Sequence, residues 1–101
     1  MSYIGDFEKQ PGESYTITVD YTGKLPSGAE VDSGTVAAVV VQSGDTDNSV
    51  LSSTTATTTT TSAAIKVTGG TDGEDYKVTF TTTLDNTDVL EDDVLMRVRE
   101  V

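Results

Sequence analysis

Gly69-Gly70-Thr71-Asp72-Gly73-Glu74-Asp75-Tyr76-Lys77-Val78-Thr79-Phe80 passes within a few residues from a turn cluster to strict alternation. Two glycines and an Asp-Gly pair supply the positive φ angles that a tight corner requires. Beyond the corner, Tyr76, Val78 and Phe80 fall on one face of an extended strand and Lys77 and Thr79 on the other, because successive strand side chains point to opposite faces. A strand entered through such a corner predicts a small β-sandwich, and the same punctuation recurs along the chain.

Upstream, Tyr15-Thr16-Ile17-Thr18-Val19-Asp20-Tyr21 alternates with period two. Tyr15, Ile17, Val19 and Tyr21 are expected inward, and Thr16, Thr18 and Asp20 outward. Pro11-Gly12 is a turn signal, so residues 6–10 are expected to fold back against this strand as a short edge strand, with Phe7 inward. After the turn Leu25-Pro26-Ser27-Gly28 comes the unbroken apolar run Val36-Ala37-Ala38-Val39-Val40-Val41. It is too short for most helices and rich in β-branched residues, so it predicts a central strand buried on both faces. Residues 42–62 are polar and end in Thr54-Thr55-Ala56-Thr57-Thr58-Thr59-Thr60-Thr61. Threonine suits a pleated strand but gives little inward side chain to fix a register, so the segment reads as a mobile loop or an edge strand. Order returns at Ile65-Lys66-Val67 and closes, after the turn Asp85-Asn86-Thr87-Asp88, with Val94-Leu95-Met96-Arg97-Val98-Arg99-Glu100-Val101. Apolar residues nowhere keep helical spacing long enough to bury one helix face. About seven short strands separated by turns predict one all-β domain over residues 1–101, an antiparallel β-sandwich.

Length and charge narrow the function classes. A chain of 101 residues has room for one core. Seventeen acids against six bases give a net charge of −11, so nucleic acid and anionic membrane surfaces repel it and proteins are the expected partners. With no cysteine the fold rests on packing without disulfides. No basic and apolar leader opens the chain and no window reaches the length of a membrane span, so synthesis in the cytoplasm is expected.

His and Cys are both absent, which removes the commonest general base, the thiol nucleophile and the imidazole and thiolate metal ligands. The acids fall mainly in turns, with nothing nearby to desolvate one of a pair, so no enzyme activity and no cofactor are expected. Asp45-Thr46-Asp47-Asn48, Asp85-Asn86-Thr87-Asp88 and Glu91-Asp92-Asp93 offer oxygen ligands of the kind calcium takes, but not at the twelve-residue spacing of an EF-hand. A calcium- or carbohydrate-binding adhesion module therefore stands as the alternative to a protein-docking module, with Tyr3, Tyr15, Tyr21 and Tyr76 as its stacking faces. For docking, the candidate interface residues are Tyr3, Ile4 and Phe7, together with Arg97 and Arg99. Residues 1–8 either pack as the first strand or extend as an N-terminal arm. Lys66, Lys77, Arg97 and Arg99 face outward on the late strands, where they serve cross-strand pairing and edge protection or a docking face.

Two resemblances add to this reading. Asp72-Gly73-Glu74-Asp75-Tyr76-Lys77-Val78 resembles the corner before strand F of immunoglobulin-like domains, with Tyr76 at the tyrosine-corner position and Val78 where the second cysteine would stand. The disulfide and the core tryptophan of that fold are missing. The order of Lys9-Gln10-Pro11-Gly12-Glu13, Leu25-Pro26-Ser27-Gly28-Ala29-Glu30, the segment from Gly69 through Tyr76 and the late Glu91 resembles small tailed-bacteriophage virion proteins of the fiber-tail adaptor type. The threonine run has no counterpart in that pattern. What the resemblance implies is a non-enzymatic structural protein of a phage or prophage particle, made in the host bacterial cytoplasm. It would be present in several copies and join tail, head-tail or fiber components. No site residues carry over from it.

Overall fold

Tyr76, Val78, Phe80, Thr82 and Leu84 are all buried along β6 (Asp75–Leu84), so the corner strand is the spine of the core. A computed structural model describes residues 2–100 of the chain, with side chains from residue 5 onward. Among these described residues, seven strands form two sheets. One sheet has the order β1-β7-β6-β3, with β1 Ser2–Lys9, β3 Val31–Val40 and β7 Val89–Val98. The other has the order β2-β5-β4, with β2 Tyr15–Asp20, β4 Thr57–Thr59 and β5 Ser62–Val67. Val36, Ala38 and Val40 from β3, Val94, Met96 and Val98 from β7, and Val19, Ala63, Ile65 and Val67 from the facing sheet complete the core.

The corner works through two contacts. Gly70 has φ of +97°, and a Cβ there would stand 2.8 Å from Val98 Cγ2, so only glycine fits this approach of backbone to core. Tyr76, with no exposed surface, accepts a hydrogen bond at its Oη from the Thr71 N–H at 2.9 Å. That bond ties the loop before β6 to the side chain that opens it.

Three expectations are corrected. First, residues 6–10 do not fold back on β2. Residues 6–9 belong to β1, which pairs with β7 in parallel from Ser2↔Asp92 to Lys9↔Val98, the one parallel pairing among the described strands. The turn at Pro11-Gly12, held by Glu13 N–H to Gln10 O and Gln10 N–H to Glu13 Oε1, carries the chain across to the second sheet. β1 thereby covers the outer edge of β7, whose backbone groups would otherwise lie open. Second, the valine run is buried on one face only. Ala37 and Val41 are exposed and Val39 half-buried, because β3 lies at a sheet edge with the core on one side. Third, Tyr15 is 43% exposed: β2 begins at the rim, beyond the reach of the opposite sheet.

The threonine run forms β4 and its turn into β5. Val36 N–H to Thr54 O, Ala56 N–H to Gly34 O and Val31 N–H to Thr60 O, each 2.9 Å, join it to β3 and seam the two sheets along that side. Close approach at the seam is possible because Gly34 has no side chain: a Cβ there would sit 3.2 Å from Ala56 Cβ. Val50 and Leu51, the large apolar residues of this segment, are buried beneath it.

A polar tie crosses the core near the start of β7. Tyr21 Oη donates to Asp92 Oδ2 at 2.8 Å and lies 3.0 Å from Thr82 Oγ1. Burial pushes the Tyr21 phenol from its ordinary 10.0 up to about 12, with the Asp92 carboxylate acting in the same direction and the Thr82 hydroxyl against it. Because the folded value lies above the unfolded one, this stabilisation is complete below pH 10 and is lost as pH rises toward 12. At pH 11 the loss should amount to about 1.4 kcal/mol. Tyr21→Phe should therefore fall less steeply in stability than wild type between pH 9.5 and 11.5. Parallel denaturation curves across that range would assign the titration to another group.

Candidate protein interface

Opposite the β3–β4 seam, the edges of β1 and β2 stand apart, and among the described residues no backbone hydrogen bond joins them beyond the turn that links them. Between them lies a groove of about 410 Å³ lined by Phe7, Glu8, Tyr15, Thr16 and Ile17. Alternation along each strand turns Phe7, Tyr15 and Ile17 toward this opening. Phe7 and Tyr15 meet edge to face, ring centroids 6.1 Å apart at 86°. The groove is thus an apolar floor between two sheet edges, with acids at its rim. Glu13, against the Tyr15 phenol, pushes the phenol's pKa up through hydrogen bonding and charge.

Both ends of the opening are tied. At one end the Tyr21–Asp92–Thr82 group spans the sheets. At the other, the Lys9 ammonium donates to the carbonyls of Gln10 at 2.8 Å, Glu13 at 2.9 Å and Gly69. Lys9 is 2% exposed, and burial pushes its pKa down while the Glu13 charge acts the other way. A charge this deep is tolerable because three carbonyls replace water around it.

Of the five interface residues expected from sequence, Phe7 is brought to the groove, half-buried. Tyr3 and Ile4 lie within β1, but their side chains fall outside the described residues. Arg97 is engaged across the parallel pair with Asp6 at 2.6 Å. Arg99 binds Asp75 at 2.8 Å and the carbonyls of Val98 and Glu74. The Arg97 pair is more than a third exposed on both sides, so it contributes little to stability and leaves the guanidinium at the surface beside β1. Ile17 and Lys9 were not among the expected site residues, and Tyr15 was expected only as a stacking face of the adhesion alternative. The alternation Gly5, Phe7, Lys9 already put a lysine at an inward position of an edge strand, which is one of the devices that protect such strands.

The acidic clusters lie apart, Asp45–Asp47 and Asp85–Asp88 in loops and Glu91–Asp93 within β7. Among the described residues, no group of three or more carboxylates converges on one point. Asp92 holds Tyr21, and Asp93 accepts from Thr79 Oγ1 at 2.7 Å. Tyr21 and Tyr76 are buried and offer no stacking face.

No curated protein matches the sequence. A family model, podophage GP4 fiber-tail adaptor protein gp77, matches residues 9–97, from Lys9 at the end of β1 through β2 to β6 and into β7 as far as Arg97. The chain therefore belongs to the podophage GP4 fiber-tail adaptor protein gp77 family.

Proposed function

We propose that this chain is a non-enzymatic assembly protein of a tailed phage or prophage particle. Present in several copies, it joins tail, head-tail or fiber components by protein–protein contacts. The observation that carries the reading is the family match over residues 9–97. Further support comes from a sandwich seamed on one side and open on the other, a shape suited to holding a partner at its open edges. In this reading Tyr3, Ile4 and Phe7 on β1 form one part of the docking surface, and Arg97 and Arg99 supply its cationic flank. An immunoglobulin-like topology is part of the proposal. Pairing of strands three, six and seven in one sheet, and two, five and four in the other, corresponds to the CFG and BED sets of such domains, with the first strand beside the last.

Co-expression with the tail and connector proteins of the same phage tests this reading. Capture of at least one of them is expected, weakened by about tenfold or more in Phe7→Ser combined with Arg97→Glu. A chain that stays monomeric and captures none of them would count against assembly. Capture unchanged in the double variant would move the docking surface elsewhere.

A further inference from the structure

We infer that the free edge of β2 is a strand-addition site, which receives an extended, lysine- or arginine-bearing segment of another virion protein as a fourth strand of the β2-β5-β4 sheet. This rests on the assembly reading above and names the chemistry of the contact. The backbone supplies the first argument. Tyr21 N–H bonds to Thr61 O, and the register of β2 on β5 runs from Tyr15↔Val67 to Asp20↔Ser62. In an antiparallel ladder the bonded pairs alternate, so Tyr15, Ile17 and Val19 turn their N–H and C=O groups toward β5. Those of Thr16 and Thr18 point away from the sheet. They are spaced to receive an incoming strand.

The second argument is that this edge is the exception. β3 is bonded to Thr54, Ala56 and Thr60 on either side of β4, and β1 carries a register shift between Tyr3 and Gly5 and the inward Lys9. β2 has no proline, no lysine and no bulge, the features that keep sheet edges from pairing. The third argument is the occupant. Alternate side chains of an added strand would face the groove and cover Phe7, Tyr15 and Ile17, so apolar residues are required there. Glu8 and Glu13 stand at the rim, Asp20 lies on the strand itself, and the chain carries a net charge of −11. Cationic residues on the partner complement that charge, whereas a second copy would bring another −11.

The test uses phage particles assembled with wild-type chain, Thr16→Pro or Thr18→Lys, with copies per particle quantified by mass spectrometry. Proline at Thr16 removes an outward N–H and leaves the ladder to β5 intact. Lysine at Thr18 places a repelling charge on the edge. Both variants are expected to keep the wild-type circular dichroism spectrum and to lose about tenfold or more in occupancy. In a second readout, the Thr16 and Thr18 amides exchange freely in the isolated chain and become protected in the particle. That readout decides the matter if either variant fails to fold. Wild-type occupancy in both folded variants, or amides that stay unprotected in the particle, would overturn strand addition and leave the assembly reading standing. Wild-type chain missing from the particle would overturn both. A dimer of the isolated chain that Thr16→Pro abolishes would overturn the assignment of the occupant.

Discussion

Tyr76→Ala is expected to destabilise the chain by about 4 kcal/mol, within the range for removing a fully buried aromatic. Two losses combine. The ring fills the core at the start of β6 with no exposed surface, and its Oη holds the Thr71 N–H. Removing the side chain leaves a cavity beside Gly70 and Val98 and frees the loop that enters β6. Tyr76→Phe separates the two contributions. It keeps the packing and gives up one hydrogen bond whose donor sits on an exposed residue, so its cost should be about 1 kcal/mol. Urea denaturation of the three proteins measures both values. Small domains hold only about 5–15 kcal/mol in total, so the alanine variant should be close to unfolding at 37 °C. A loss under about 1.5 kcal/mol for Tyr76→Ala would mean that the corner does not anchor the fold.

Lys9→Ala should have an effect of similar size, about 3–4 kcal/mol, for a different reason. Its buried stem contributes roughly 0.8 kcal/mol per methylene, and its ammonium donates to the Glu13 and Gly69 carbonyls and adds a second bond to Gln10 O, which the Glu13 N–H also reaches. Opposing this is the desolvation of the ammonium, which substitution relieves and which already pushes its pKa down. The carbonyls remain whatever stands at position 9, so relief of that cost does not cancel the loss. Lys9→Met keeps most of the stem and should recover about half of the deficit. Amide exchange gives a local check: residues 5–9 and the turn at Gln10 to Glu13 should lose protection in Lys9→Ala before the β6–β7 pair does. Uniform loss across the molecule would show that Lys9 is not a local clamp between the sheets.

Much of the fold was legible because it rests on local signals. The Gly69–Gly70 corner, the inward set of β6 and the alternation of residues 15–21 depend on turn chemistry and period two, which a single sequence displays. Pairing was less legible. That β1 joins β7 in parallel depends on which distant edge is free, and the Pro11-Gly12 turn by itself suits a hairpin equally well. Residues 36–41 misled for a related reason: alanine and valine suit an exposed edge face as well as a core, so an unbroken apolar run does not fix how many of its faces are covered. Phe7 was found in the groove, whereas Tyr15 and Ile17 entered it only once β1 and β2 were known to lie on one side of the sandwich. Lys9 was legible in pattern, as a charge in an inward register, but its three acceptors come from segments up to sixty residues apart.

The open side of the sandwich joins these observations to assembly. A β3–β4 seam leaves one pair of edges available, two polar ties hold those edges at a fixed spacing, and an apolar floor with an acidic rim lies between them. Electron microscopy of the intact particle, at a resolution that separates strands, tests this account most directly. The account predicts the sandwich within the tail or connector, with the β1–β2 side covered by density from a neighbouring virion protein. Particles in which the chain is absent, or in which Phe7, Tyr15 and Thr16 face open solvent, would contradict it.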